Sequence, residues 1–189
     1  MTLLDEFARA SLLALARAHA VAAIRGDAPP NLDHGTLPPA LREPGAAFVT
    51  LHVAGALRGC IGRVEPGGAT LAEVVAEMAE AAATSDRRFP AILPAELPGL
   101  EVEISVLGPL VPVDQTEEIV VGRDGLVIED GPRRGLLLPQ VAVEQGWDRE
   151  TFLAQACRKA QLPPDAWRGG AGVFRFEAQV FGGSRARAS

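Results

Sequence analysis

Cys60 is the residue in this chain with the widest range of chemistry open to it. It sits in the run Leu57-Arg58-Gly59-Cys60-Ile61-Gly62, with Arg58 two residues before it and Arg63 three after. A thiolate is a nucleophile, and neighbouring guanidinium groups favour both the thiolate and an anionic substrate. One reading therefore makes Cys60 a nucleophile and Arg58 its anion binder. The other makes Cys60 a buried, inert thiol, because free cysteine is among the most buried residue types. Asp86-Arg87-Arg88 is a second candidate. At a helix C-terminus two arginines can bind a carboxylate or phosphate, or they can form a capped, solvated turn. His34, in a long Pro/Gly-rich loop, is a third. Cys157, among Phe152, Leu153 and Ala156, reads as structural.

The rest of the composition narrows the field. Neither cysteine belongs to a CxxC pair, and His19, His34 and His52 show no HxxxH or HExxH spacing. No metal site is expected from neighbours in sequence, and no cofactor is predicted. There is no GxGxxG after a strand, no phosphate-binding GxxxxGK[ST] and no GxSxG. The net charge is −6 and Lys159 is the single lysine, so a nucleic-acid partner is not expected. The N-terminal apolar stretch carries Asp5, Glu6 and Arg17, which fits neither a signal peptide nor a membrane span. It reads as the first helix of a cytoplasmic protein. Oligomeric state is left open.

The elements that must hold these residues follow from periodicity. Residues 3–25 form an amphipathic helix, with Leu4, Phe7, Leu12 and Leu15 near one stripe and His19 at its edge. Residues 26–46 are a loop with at most a helical turn. Phe48–Val53 and Leu57–Val64 are the arms of a hairpin turning at Ala54-Gly55. Thr70 and Glu73 have the spacing of a capping box for a helix ending near residue 83, with Met78 as core. Pro90, Pro94 and Pro98 keep the next stretch irregular. Leu100–Leu107 alternates, with Val102, Ile104 and Val106 inward and Glu101, Glu103 and Ser105 on a solvated face. Residues 118–138 read as a three-strand meander over 119–121, 126–128 and 136–138. Asp148 caps a helix from Arg149 to Ala160, flanked by Trp147 and Trp167 as packing anchors. Val173–Phe181 is the last strand. The fold class is α+β, a mainly antiparallel sheet with flanking helices. Residues 1–181 form the domain, with candidate subdomain edges near 26–46 and 84–99, and residues 182–189 a flexible tail.

The hairpin register decides what Cys60 sees. A simple two-residue turn pairs Cys60 with Val49 and Arg58 with Leu51. Cys60 then shares the core face with Val49, Leu51 and Val53, and His52 lies on the other face. A one-residue bulge, which Gly59 and Gly62 can host, reverses the face Cys60 points to.

Several segments together resemble one family. LHVAGALRGCIGRVEP is similar to the strand, turn and LRGCIG signature of the AMMECR domain. RFPAILPAELPGLEVEISVLGPL, GLLLPQVAVEQGWDRETFLAQACRKAQLPPDAW and FRFEAQVF resemble its later segments, in register and in order over about residues 5–181. Bacterial and archaeal members are called AmmeMemoRadiSam system protein A. The resemblance implies a compact α+β fold of two subdomains and no established reaction. It implies function for LRGCIG, which here is Leu57, Arg58, Gly59, Cys60, Ile61 and Gly62. It implies an accessory or binding role with a Memo-like protein and a radical SAM protein. The alternative is an enzyme using Cys60. Two positions depart from the pattern: Asp86-Arg87-Arg88-Phe89 replaces Asp-Pro-Arg-Phe, and Lys159-Ala160-Gln161-Leu162 replaces Lys-Ala-Gly-Leu.

Overall fold

In the computed structural model, residues 3–183 are described. They divide into two units. The smaller runs from Gly108 to Ala178, and the larger holds the chain up to Leu107 and from Gln179 onward. The segments 26–46 and 84–99 both lie inside the larger unit.

In the larger unit, α1 (Glu6–Arg25) begins where the Asp5 carboxylate accepts the Ala8 N–H, and ends at Gly26, whose φ of +74° suits glycine. Its inner face carries Ala8, Leu12, Ala16 and Ala20. His19 is buried there against Glu80, at 2.7 Å. By length and composition α1 could cross a membrane; here its apolar stripe is in the core. After one turn, α2 (Pro39–Arg42), come β1 (Ala46–Val53) and β2 (Ala56–Gly62). Helix α3 (Leu71–Thr84) starts on the expected Thr70–Glu73 capping box, and buries Met78. A 3₁₀ helix (Pro94–Gly99) leads into β3 (Leu100–Leu107). The strand order is β2–β1–β3, antiparallel throughout. Helices α1 and α3 pack on each other, and both pack on this sheet. Each fully buried leucine in that layer, such as Leu12 or Leu51, contributes about 2 kcal/mol through burial alone.

The smaller unit has its own core. Its elements are β4 (Val111–Pro112), β5 (Asp124–Asp130), β6 (Arg133–Leu137), α4 (Pro139–Glu144), α5 (Arg149–Lys159) and the first part of β7 (Gly172–Gly182). β7 pairs antiparallel with β4 and β5, and β5 with β6. Phe152, Leu153, Ala156 and Cys157 of α5 pack with Leu126, Ile128 and Ile119, and Trp147 and Trp167 lie against that cluster. Burial pushes the Cys157 thiol pKa up, as a structural thiol requires.

Several expectations are corrected. Residues 119–121 are not a strand. The Asp124 carboxylate, itself fully buried, accepts the Val120 N–H and the Nε and Nη2 of Arg123, so that stretch is a turn. Pro139 ends a strand as expected but also opens α4, at a position where a missing N–H costs nothing. The outward side of β3 is not a solvated face. Ser105 is 1% exposed, and Glu101 and Glu103 are half-buried. Of the tail expected at 182–189, Gly182 belongs to β7, and the Gly183 N–H donates to Val102 O. The remainder, 184–189, lies outside the described residues.

Candidate functional site

The hairpin turn is tight. Ala54 has φ +50° and Gly55 φ +80°, the twisted two-residue form that matches strand twist. Ala56 pairs with Val53 and Leu57 with His52, but Gly59 pairs with Leu51 and Cys60 with Thr50. Arg58 is therefore an extra residue on β2, a bulge. The bulge turns every later residue of the motif over. Gly59 and Ile61 face the core with Leu51 and Val49; Cys60 and Gly62 face outward with Thr50 and Phe48. The two-residue register that put Cys60 on the core face is corrected on this point. Cys60 is half-buried, and the Thr50 hydroxyl donates to its Sγ at 3.4 Å.

Both glycines are explained by what stands over them. A Cβ on Gly59 would sit 2.0 Å from the carbonyl oxygen of Ala82. Helix α3 thus lies directly on the strand backbone. Its C-terminal end is thereby carried to the edge of β2, and Asp86 arrives beside Cys60. A Cβ on Gly62 would enter the Phe48 ring, at 2.2 Å.

At that edge the outward main-chain groups of Cys60 have no strand partner among the described residues. Side chains replace one. Asp86 Oδ2 accepts the Cys60 N–H at 2.9 Å, and Arg88 Nη2 donates to Cys60 O at 3.1 Å. Arg88 also donates Nε and Nη2 to the Asp86 carboxylate, at 3.0 and 2.7 Å. These bonds, Arg88's first among them, hold the Asp86 carboxyl well below the usual carboxylate range, against its burial. Asp86 in turn raises the Arg88 guanidinium, with the Cys60 side chain adding to the effect. The cluster read as either a solvated turn or an anion site is a clamp on the motif. Arg87 is exposed at the turn.

Arg58 is used differently. Its Nε and Nη2 donate to both Glu96 oxygens, at 2.9 and 3.1 Å, and Nη1 donates to Pro90 O at 3.3 Å. Glu96 also accepts the Leu93 N–H, and these bonds, Arg58's first, bring its carboxyl down to about 2. Arg58 thus fastens the bulge to the 3₁₀ helix. Leu57, 39% exposed, stands at the hairpin end opposite His52.

His34 is not brought to Cys60. Its Nε2 faces Glu73 at 3.5 Å, at the start of α3, and the 14 residues of that helix place about 20 Å between it and Asp86. His52 shares the outer face with Thr50, hence with Cys60. Sequence reasoning missed Thr50 and Glu96. Thr50 follows once the bulge is known; Glu96, 38 residues from Arg58, had no local signal. Among the described residues no three His, Cys, Asp or Glu side chains converge as a metal site would need.

The chain is similar in sequence and fold to known proteins. The AMMECR1 family model matches residues 13–181. A protein of Thermofilum pendens is 50% identical over 161 residues, covering 76% of this chain and 75% of its own. Protein MJ0810 of Methanocaldococcus jannaschii is 48% identical over 153 residues, covering 76% of each. The crystal structure of the uncharacterized protein PH0010 from Pyrococcus horikoshii superposes with a TM-score of 0.85 at 38% identity, covering 96% of this chain and 94% of that one. The chain belongs to the AMMECR1 family.

Proposed function

We propose that this protein is an accessory or binding component that acts with a Memo-like protein and a radical SAM protein in the cytoplasm, and that it engages a partner through the LRGCIG hairpin. One observation carries the binding role: three arginines around the motif are ion-paired within the protein. Arg58 is held by Glu96, Arg88 by Asp86, and Arg63 by Glu77. The hairpin end faces outward, a tight two-residue turn with Ala54, Gly55, Ala56 and Leu57 exposed. A pre-organised surface of that kind binds at little ordering cost. The choice of partners rests on the family resemblance. The test is calorimetry with the Memo-like and the radical SAM protein of the same genome, repeated with Leu57→Asp. A micromolar or tighter Kd lost in the variant supports the role; absence of binding to either protein removes it.

A second reading has its own observation. Cys60 is half-buried on the outer face, with a hydroxyl donated to its sulfur. In this reading Cys60 is a reactive thiol acting on a small molecule or protein. Its alkylation rate in the folded protein, set against free cysteine, tests it. A rate no faster than free cysteine removes it.

A further inference from the structure

Helix α1 is apolar on more than the side it buries. It is long and apolar enough to cross a membrane, yet only 39% of that stretch is buried. Ala8, Leu12, Ala16 and Ala20 hold its inner face in the core. The outer face carries Phe7, Ala10, Ala14 and Ala18, all exposed, with Val21 half-buried at the end of the row. Steps of three and four residues place these on one stripe. Phe7 is 70% exposed, and so is Leu3, two residues before the cap. Among the described residues no other large apolar side chain is as exposed. A solvated helix face is ordinarily polar. Here Glu6 and Arg17, both exposed, stand beside the stripe on the same flank.

This face complements itself. Its large side chain is near the N-terminal end and its small ones follow. Glu6 precedes Arg17 by about three turns. Two copies of α1 laid antiparallel, with the two-fold axis between Ala10 and Ala14, bring Phe7 of each over Ala18 of the other, where a small residue leaves room. Glu6 of each copy then lies beside Arg17 of the other. Arg17 is steadied there by Leu100 O, to which its Nη1 donates at 2.6 Å. A parallel pair sets Glu6 against Glu6 and Phe7 against Phe7. An anionic bilayer matches less well, because it attracts helices rich in lysine and arginine, and this chain has a net charge of −6.

We propose that the exposed face of α1 is the interface of a homodimer, an antiparallel helix pair between two copies of this chain. The inference is independent of the hairpin reading above. A helix pair of this length covers roughly 500 Å² on each copy, near the ~1,000 Å² total at which specific interfaces begin. A reversible dimer with a micromolar Kd is therefore expected.

Sedimentation equilibrium of the whole chain, from about 1 to about 300 μM, brackets such a Kd. The mass is expected to rise from 19.8 kDa toward twice that value with concentration. Phe7→Asp raises Kd by about tenfold or more, as loss of a central aromatic anchor does. Its urea midpoint stays at the wild-type value, because Phe7 lies outside the core. Glu6→Arg weakens the dimer, and Glu6→Arg combined with Arg17→Glu restores it. Leu57→Asp, at the hairpin, leaves it unchanged. A chain that stays at 19.8 kDa throughout, a dimer that Phe7→Asp leaves intact, or an equal loss in Leu57→Asp overturns the proposal. A double charge variant that fails to recover what Glu6→Arg lost overturns it too. So does a monomer that cosediments with phosphatidylcholine vesicles and loses that property in Phe7→Asp, for then the face binds lipid.

Discussion

Thr50 stands directly across from Cys60 because Arg58 occupies a bulge, and its hydroxyl meets the sulfur at 3.4 Å. One inserted residue thus decides which face of the sheet the motif's only thiol occupies. It follows that the two cysteines live in different environments. Cys60 is half-buried at an edge strand, whereas Cys157 is fully buried in α5.

The two thiols are therefore expected to titrate separately. In native buffer one equivalent reacts with a disulfide reagent, and peptide mapping finds it on Cys60. The second, on Cys157, appears only with the unfolding transition in urea. Cys157 labelling in native buffer at the Cys60 rate would contradict the packing of α5 described above.

Gly59 and Gly62 should respond unequally to the same added methyl. Gly59→Ala drives a Cβ into the Ala82 carbonyl, which is helix backbone, and either α3 or the strand must move. A loss of more than about 2 kcal/mol is expected. Gly62→Ala meets the ring of Phe48, and a side chain can rotate away, so about 1 kcal/mol is expected. Urea denaturation measures both. Gly59→Ala also displaces Asp86 from the Cys60 N–H, so that amide should exchange faster with solvent.

These contacts mark where sequence reasoning stops. The capping box at Thr70, the cap at Asp148, the long first helix and the α+β class were legible, because each depends on residues a few positions apart. The turn at Ala54-Gly55 was legible too. The bulge was visible only as an option, since it depends on Arg58 finding Glu96, 38 residues away. The Asp86–Arg88 clamp was not legible for the same reason: it needs to know which strand edge lies beside the end of α3. The buried outer side of β3 was hidden because alternation reports that two faces differ, not what covers the second.

Gln161 offers a test of backbone strain. Its φ of +60° is a left-handed conformation, at the end of α5, which glycine adopts without steric cost. The Leu162 N–H donates to Cys157 O at 2.9 Å, which closes the helix in the usual left-handed way. Gln161→Gly relieves the strain of a side chain at positive φ, offset in part by the greater freedom of glycine when unfolded. A net gain of about 0.5–1 kcal/mol is expected in urea denaturation. A loss of stability would show that contacts of the glutamine side chain outweigh the strain.

The carboxylates that fasten the motif also predict how stability depends on acid. Asp86 is held well below the usual carboxylate range by Arg88 and the Cys60 N–H, and Glu96 at about 2 by Arg58 and the Leu93 N–H. Both groups release their protons more readily folded than unfolded, where Asp and Glu titrate near about 4. The unfolded chain therefore binds more protons in this range, so stability falls as pH falls. Their contribution is complete above about pH 5. It is lost progressively as pH drops through about 4 toward 2 for Glu96, and lower for Asp86. Urea midpoints measured from pH 6 to pH 2 should decline over that interval. Asp86→Asn and Glu96→Gln should each start from a lower midpoint at pH 6 and decline less steeply. Asp86→Asn should show the larger effect, because Asp86 is 6% exposed and the amide cannot accept all four bonds the carboxylate takes, while the more open Glu96 is screened by solvent. Parallel pH profiles for wild type and Asp86→Asn would mean that the clamp on Cys60 contributes nothing to the folded state.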